Sequence, residues 1–238
     1  MLTLIRRILK DNIGVFLYIY IIQIILRLVK SIFDDLTILD TVYGLWIMVV
    51  ATFAVIYSTN ILYRLIYTRQ SFFYYTLKYT LNQILLVTAG VQILLNFVFY
   101  LTYCESGLLE IVGKLLSLTS YFMLATLFLY LTRIFKSKKV GRNLFLLSLL
   151  ASLGTYAVVY YNVIKDRIGE KTFGIGFTQD SIGDSVRHIY MAITPLYLVD
   201  VKGVDLSYLM TTSNTVNISI VVIGLVIYLA IRKLRINW

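Results

Sequence analysis

The chain has one cysteine (Cys104), one proline (Pro195) and one histidine (His188) in 238 residues. A lone cysteine excludes an intrachain disulfide and any thiolate metal cluster. A lone histidine excludes a zinc site built from histidines, and no His-Glu-x-x-His sequence occurs. A Cys/His pair would have to join two separate loops, and packing is the simpler role for Cys104. Charge is also scarce: 14% of residues are charged, against about 25% in an average soluble domain. No Gly-x-x-x-x-Gly-Lys-Ser/Thr loop is present, which excludes nucleotide hydrolysis by that route. The expectation is a chain that is not an enzyme and holds neither metal nor cofactor of its own.

Apolar side chains dominate instead. Hydrophobic residues make up 59% of the sequence, with a mean hydropathy of +0.82. Six stretches are long enough, at roughly 20 residues, to cross a hydrocarbon core about 30 Å thick: Ile13–Phe33, Tyr43–Leu65, Ile84–Tyr103, Leu108–Leu131, Leu144–Ile164 and Val216–Ile231. The fold class that follows is all-α, a polytopic membrane protein with six transmembrane helices forming one transmembrane domain over residues 1–238. A net charge of +10 would suit nucleic acid, but basic residues flanking apolar spans face anionic lipid and set topology. Membrane lipid is the expected partner, and nucleic acid is not. Arg6, Arg7 and Lys10 precede the first run as in a signal peptide, yet no small-residue cleavage pattern follows, so the run reads as an uncleaved span. Leu2, Ile5, Ile8 and Leu9 alternate at helical spacing with those bases, which predicts an amphipathic interfacial helix over 1–11. An ordinary basic flank is the plainer alternative.

Orientation follows from charge sorting. The segments 6–11, 64–78, 133–142 and 232–235, which six spans place on one side, hold fourteen of the 22 basic residues and one of the 12 acids, Asp11. That side is read as cytoplasmic, in a plasma membrane, with both termini inside. The remaining side carries the long segment 165–215. It contains the short apolar groups Ile189–Met191, Leu196–Val199 and Leu206–Met210 among glycines and Pro195, and predicts an external helical segment lying on the outer leaflet.

Polar residues within apolar spans need a partner helix or a water-filled path. Thr88, Gln92 and Asn96 recur every four residues on the third span. Thr52, Ser58, Thr59 and Asn60 lie on the second, and Ser148, Ser152 and Thr155 on the fifth. Interhelical hydrogen bonding is the bland reading, and a substrate path the functional one. No acid lies near mid-span, which argues against a carboxylate proton relay. Arg27 and Lys30 are expected to snorkel from the outer end of span one, and the tyrosines near span ends to form an interfacial belt.

The loop at 66–81 runs Tyr67-Thr68-Arg69-Gln70-Ser71-Phe72-Phe73-Tyr74-Tyr75-Thr76-Leu77-Lys78-Tyr79-Thr80-Leu81 and leads straight into Ile84-Leu85-Leu86. Here the chain resembles the membrane subunits of ABC-2-type exporters from Gram-positive bacteria. Those have an amphipathic N-terminal helix, six spans, a cytoplasmic coupling helix after span two and a longer external segment before span six. Where that family commonly has Leu-Pro-Val/Ile-Ser, this chain has Lys78 in place of the proline, and Arg69 or Gln70 in place of an early acid.

The resemblance implies a permease subunit paired with a second permease subunit, identical or homologous, on a separate cytoplasmic ABC ATPase that binds ATP and Mg. It assigns Arg69, Phe72, Phe73, Tyr74 and Lys78 to contact with that ATPase. Thr52, Thr59, Ser148, Ser152 and Thr155 become candidates for the translocation path. With no buried charge expected among them, the cargo is expected to be apolar or amphipathic, most plausibly a peptide such as a bacteriocin or toxin. The alternatives are a membrane immunity or assembly factor that does not transport, and the substrate-binding subunit of a vitamin-uptake transporter.

Overall fold

The computed structural model describes residues 2–32, 37–67, 79–103, 108–132, 137–164, 188–190, 197–199 and 206–233. Within them lie six helices, α1 Leu2–Ile32, α2 Thr37–Tyr67, α3 Leu81–Tyr103, α4 Leu108–Thr132, α5 Lys138–Ile164 and α6 Leu206–Lys233. Two short strands, β1 His188–Tyr190 and β2 Tyr197–Val199, precede α6. Long apolar runs without proline favour helix, because an apolar solvent leaves the backbone no partner but itself. The start of α3 is fixed by a reciprocal cap: the Thr80 N–H donates to Gln83 Oε1 at 2.9 Å, and the Gln83 N–H to Thr80 Oγ1 at 3.3 Å. Ser137 begins α5 in a looser way, its Oγ lying 3.5 Å from the Val140 nitrogen.

The bundle buries polar side chains within an apolar core and turns large apolar side chains outward. Asn12, Gln23, Ser58, Thr88, Gln92, Asn96, Ser120 and Asn217 are buried, while Leu17, Ile25, Leu28, Leu146, Leu147, Leu150, Val222, Ile223 and Val226 are exposed. Water would reverse that arrangement, and a hydrocarbon solvent favours it. Among the described residues four helical stretches are long and apolar enough to cross a membrane: Leu2–Ile32, Val49–Tyr67, Leu81–Thr102 and Ile111–Thr132. The apolar part of α6, Asn214–Ala230, is shorter.

Packing centres on α4, which contacts α2, α3, α5 and α6, and on α3, which also contacts α1 and α2. The register of the contacts gives the helix directions. Tyr20 reaches the Leu95 carbonyl and Arg27 the Thr102 carbonyl, so α1 and α3 run the same way. Thr59 meets Tyr121 and Tyr67 meets Thr132, so α2 and α4 are parallel. Ser120 with Asn217, and Tyr130 with Tyr228, set α6 parallel to α4. Gln23–Trp46 with Lys30–Tyr43 sets α2 antiparallel to α1, and Tyr63–Phe145 with Tyr67–Gly141 sets α5 antiparallel to α2. Successive helices therefore alternate in direction, and the start of α1 lies at the same end of the bundle as the finish of α6.

Two expectations change. No break separates residues 1–11 from the first span, because α1 is continuous from Leu2 to Ile32. Along it Leu4, Ile8, Asn12, Phe16, Ile19 and Gln23 are buried, whereas of the face expected in the lipid interface Leu2 and Ile5 are exposed, Leu9 is half-buried and Ile8 alone is buried. The apolar groups before α6 also differ from the expected external helices. Ile189 and Leu198 fall in β1 and β2, which pair antiparallel with His188 opposite Val199 and Tyr190 opposite Tyr197. Aromatic and β-branched triplets suit a pleated pair. Leu206–Met210 forms the first turns of α6.

Candidate functional site: a polar layer across the bundle

Three hydrogen-bonded contacts between helices fall close to the middle of α4. Asn96 Nδ2 of α3 donates to Ser58 Oγ of α2 at 2.8 Å. Thr59 Oγ1 gives its proton to the Val55 carbonyl at 2.8 Å, so the Tyr121 hydroxyl, 2.8 Å away, donates to Thr59. Ser120 Oγ donates to Asn217 Oδ1 of α6 at 2.6 Å. Each contact is worth about 0.6 kcal/mol on average in membrane proteins, enough to fix register and too little to lock the helices together.

The layer leaves buried polar atoms over. Gln92 is fully buried, and among the described residues neither its Nε2 nor its Oε1 has a hydrogen-bond partner. Asn217 Nδ2 is in the same position. The antiparallel register of α3 and α4 sets Gln92 level with Phe122, about two residues from the Ser120–Asn217 contact. Nearer the Tyr103 end of α3, Lys114 is buried at 1% exposure with its Nζ 5.5 Å from the centre of the Tyr100 ring. The interior thus holds an amine beside the hydroxyls and amides read from the sequence. The signal was present in the sequence, since Lys114 is the one charged residue between Ile111 and Thr132.

At the same end, α1, α2 and α3 are tied by a second group. Gln23 Nε2 donates to the Tyr43 hydroxyl at 2.9 Å, and Trp46 Nε1 donates to Gln23 Oε1 at 3.0 Å. Lys30 Nζ lies 5.3 Å from the centre of the Tyr43 ring, and Arg27 Nη1 donates to the Thr102 carbonyl at 2.9 Å. Arg27 and Lys30, expected to snorkel, thus have protein contacts.

Of the candidate path residues, Thr59 is buried in the α2–α4 contact and Thr52 is half-buried. Ser148 and Ser152 are half-buried on α5, with Ser152 Oγ donating back to the Leu149 carbonyl at 2.8 Å. Thr155 is helical. Tyr63 faces Phe145, and Tyr67 adjoins Gly141. Extending that register sets Thr59 level with Leu149 and Thr52 level with Tyr156, so the α2 and α5 candidates share heights in the bundle. The candidate ATPase contacts Arg69, Phe72, Phe73, Tyr74 and Lys78 lie outside the described residues. Among the described residues no three His, Cys, Asp or Glu side chains gather as a metal site would require. Compared with models of known protein families, with characterised proteins and with solved structures, the chain matches none.

Proposed function

We propose that the chain is the membrane subunit of an ATP-driven ABC exporter in the plasma membrane, with six spans and cytoplasmic termini, moving an amphipathic peptide out of the cell. It works with a separate ABC ATPase that binds ATP and Mg, and with a second permease subunit, identical or homologous. The observation that carries this reading is the alternation of helix directions. The ends of α2 and α3 that flank residues 68–78 lie where α1 starts and α6 finishes. The basic segments thereby fall at one end of the bundle, and a basic-aromatic linker meets an ATPase there. The polar layer adds weight: an apolar bundle with weakly tied hydroxyls and amides at mid-height suits a path that opens between helices. Thr59 serves in the closed packing of that path, while Thr52, Ser148, Ser152 and Thr155 line it on α2 and α5.

Two measurements test the reading. Phe72→Asp, Phe73→Asp and Tyr74→Asp should each leave the protein in the membrane yet at least halve ATPase copurification or peptide export. Unchanged copurification and export in all three would refute the coupling role. Single cysteines placed at Asp184 or Asp200 in a Cys104→Ser background should react with an impermeant maleimide on intact cells. Protection of both until lysis would invert the topology.

A further inference from the structure

Gln92 has an energetic problem. A fully buried primary amide with neither end hydrogen-bonded bears its full desolvation penalty, and the neighbours on its own face do not share the shortfall. Thr88 Oγ1 donates back to the Ile84 carbonyl at 2.8 Å, and Asn96 Nδ2 bonds both Ser58 Oγ and the Gln92 backbone carbonyl. The side chain of Gln92 alone on that face lacks a partner among the described residues. An isosteric methionine would fill the same volume without the penalty, so the amide calls for a second state in which it is bonded.

We propose that Gln92 is the group through which the bundle binds peptide bonds of its cargo, an assignment that rests on the exporter reading. A primary amide offers donors and an acceptor in one plane, the complement of the N–H and C=O of a secondary amide. The group is neutral, so it selects no ion. An ester or ether offers acceptors only and would leave Oε1 unbonded. Access requires α2 or α4 to part from α3, and the polar tie between α2 and α3 at this height is the single Asn96–Ser58 bond, beside apolar packing of Ala54, Val55, Val91 and Leu95. Parting the helices exchanges weak contacts for amide pairing with cargo. Asn217 Nδ2, at nearly the same height on α6, also lacks a partner among the described residues.

The test uses the full chain in lipid nanodiscs, with N-acetyl-trileucine amide as probe and its analogue methylated on every backbone nitrogen as control. The wild type should be stabilised against heat by the first peptide and at least tenfold less effectively by the second, which keeps its carbonyls but loses its backbone N–H groups. Gln92→Met should unfold at a higher temperature without peptide and bind the first peptide at least tenfold more weakly. Thr88→Val, one turn away, should bind as the wild type does. No binding by the wild type, equal binding of both peptides, or wild-type binding by Gln92→Met would each overturn the assignment. A Gln92→Met result of that kind beside intact ATPase copurification refutes the role of Gln92 alone. Lost copurification beside normal peptide selectivity refutes the exporter reading alone.

Discussion

Gly141→Val should unfold at a markedly lower temperature than the wild type, with a loss of about 1–3 kcal/mol from overpacking. A Cβ at position 141 would lie 2.8 Å from the Thr132 carbonyl oxygen and 3.0 Å from the Tyr67 hydroxyl. The first is backbone and cannot swing aside, so α5 has to withdraw from α4 and α2. That withdrawal disturbs the junction where the Tyr67 hydroxyl meets Thr132 Oγ1 at 2.7 Å. Two other glycines calibrate the effect. Nothing lies within 4 Å of a Cβ at Gly90, so Gly90→Ala should be neutral or gain up to about 1 kcal/mol of helix propensity. At Gly224 the nearest atom is Met123 Cγ at 2.8 Å, the side chain of a flexible residue, and Gly224→Ala should fall between the two. Equal thermal midpoints for Gly141→Val and Gly90→Ala would show that α5 does not pack as described.

Lys114→Glu should be more damaging still, at roughly 3–5 kcal/mol, the scale on which a buried charge without compensation destabilises a protein. The Lys114 nitrogen lies over the face of the Tyr100 ring, where the quadrupole is negative and disfavours an anion. A carboxylate there meets repulsion and loses its hydration as well. Lys114→Met removes the charge and keeps most of the stem, and should fall between the wild type and Lys114→Glu in thermal midpoint. Lys114→Glu as stable as Lys114→Met would mean that the side chain reaches solvent, against its 1% exposure.

Helical class was legible because the apolar stretches are long and free of proline. The expected spans match α3 and α4 closely, since hydropathy reports length directly, whereas α2 starts at Thr37 rather than Tyr43 and α5 at Lys138 rather than Leu144. The buried stripe Thr88, Gln92 and Asn96 was equally legible, being three polar residues at one helical spacing in an apolar run. Its partners were not. Asn96 pairs with Ser58, and Thr59 with Tyr121, through tertiary register, which no local pattern encodes. Tyr121 was invisible for a second reason, because a tyrosine inside a span reads as an apolar body and only its contact reveals the hydroxyl as a donor. The Thr80–Gln83 cap is a sequence pattern that marks the start of α3 more sharply than the onset of apolar residues does. The strands β1 and β2 escaped because three-residue apolar groups carry too short a period to tell strand from helix.

At 31 residues and 1.5 Å per residue, α1 is about 46 Å long, well beyond a hydrocarbon core of about 30 Å. Under the proposed topology its first turns reach headgroup level, with Arg6, Arg7 and Lys10 exposed. Each such base gains about 1 kcal/mol near an anionic leaflet. Because the helix is unbroken, that pull acts on a rigid rod fastened to α3 at Leu95 and Thr102. Under that topology the charge of the inner leaflet loads the tilt of α3, the helix that carries Gln92, and lipid composition enters the energetics of the bundle through a segment far from its polar layer.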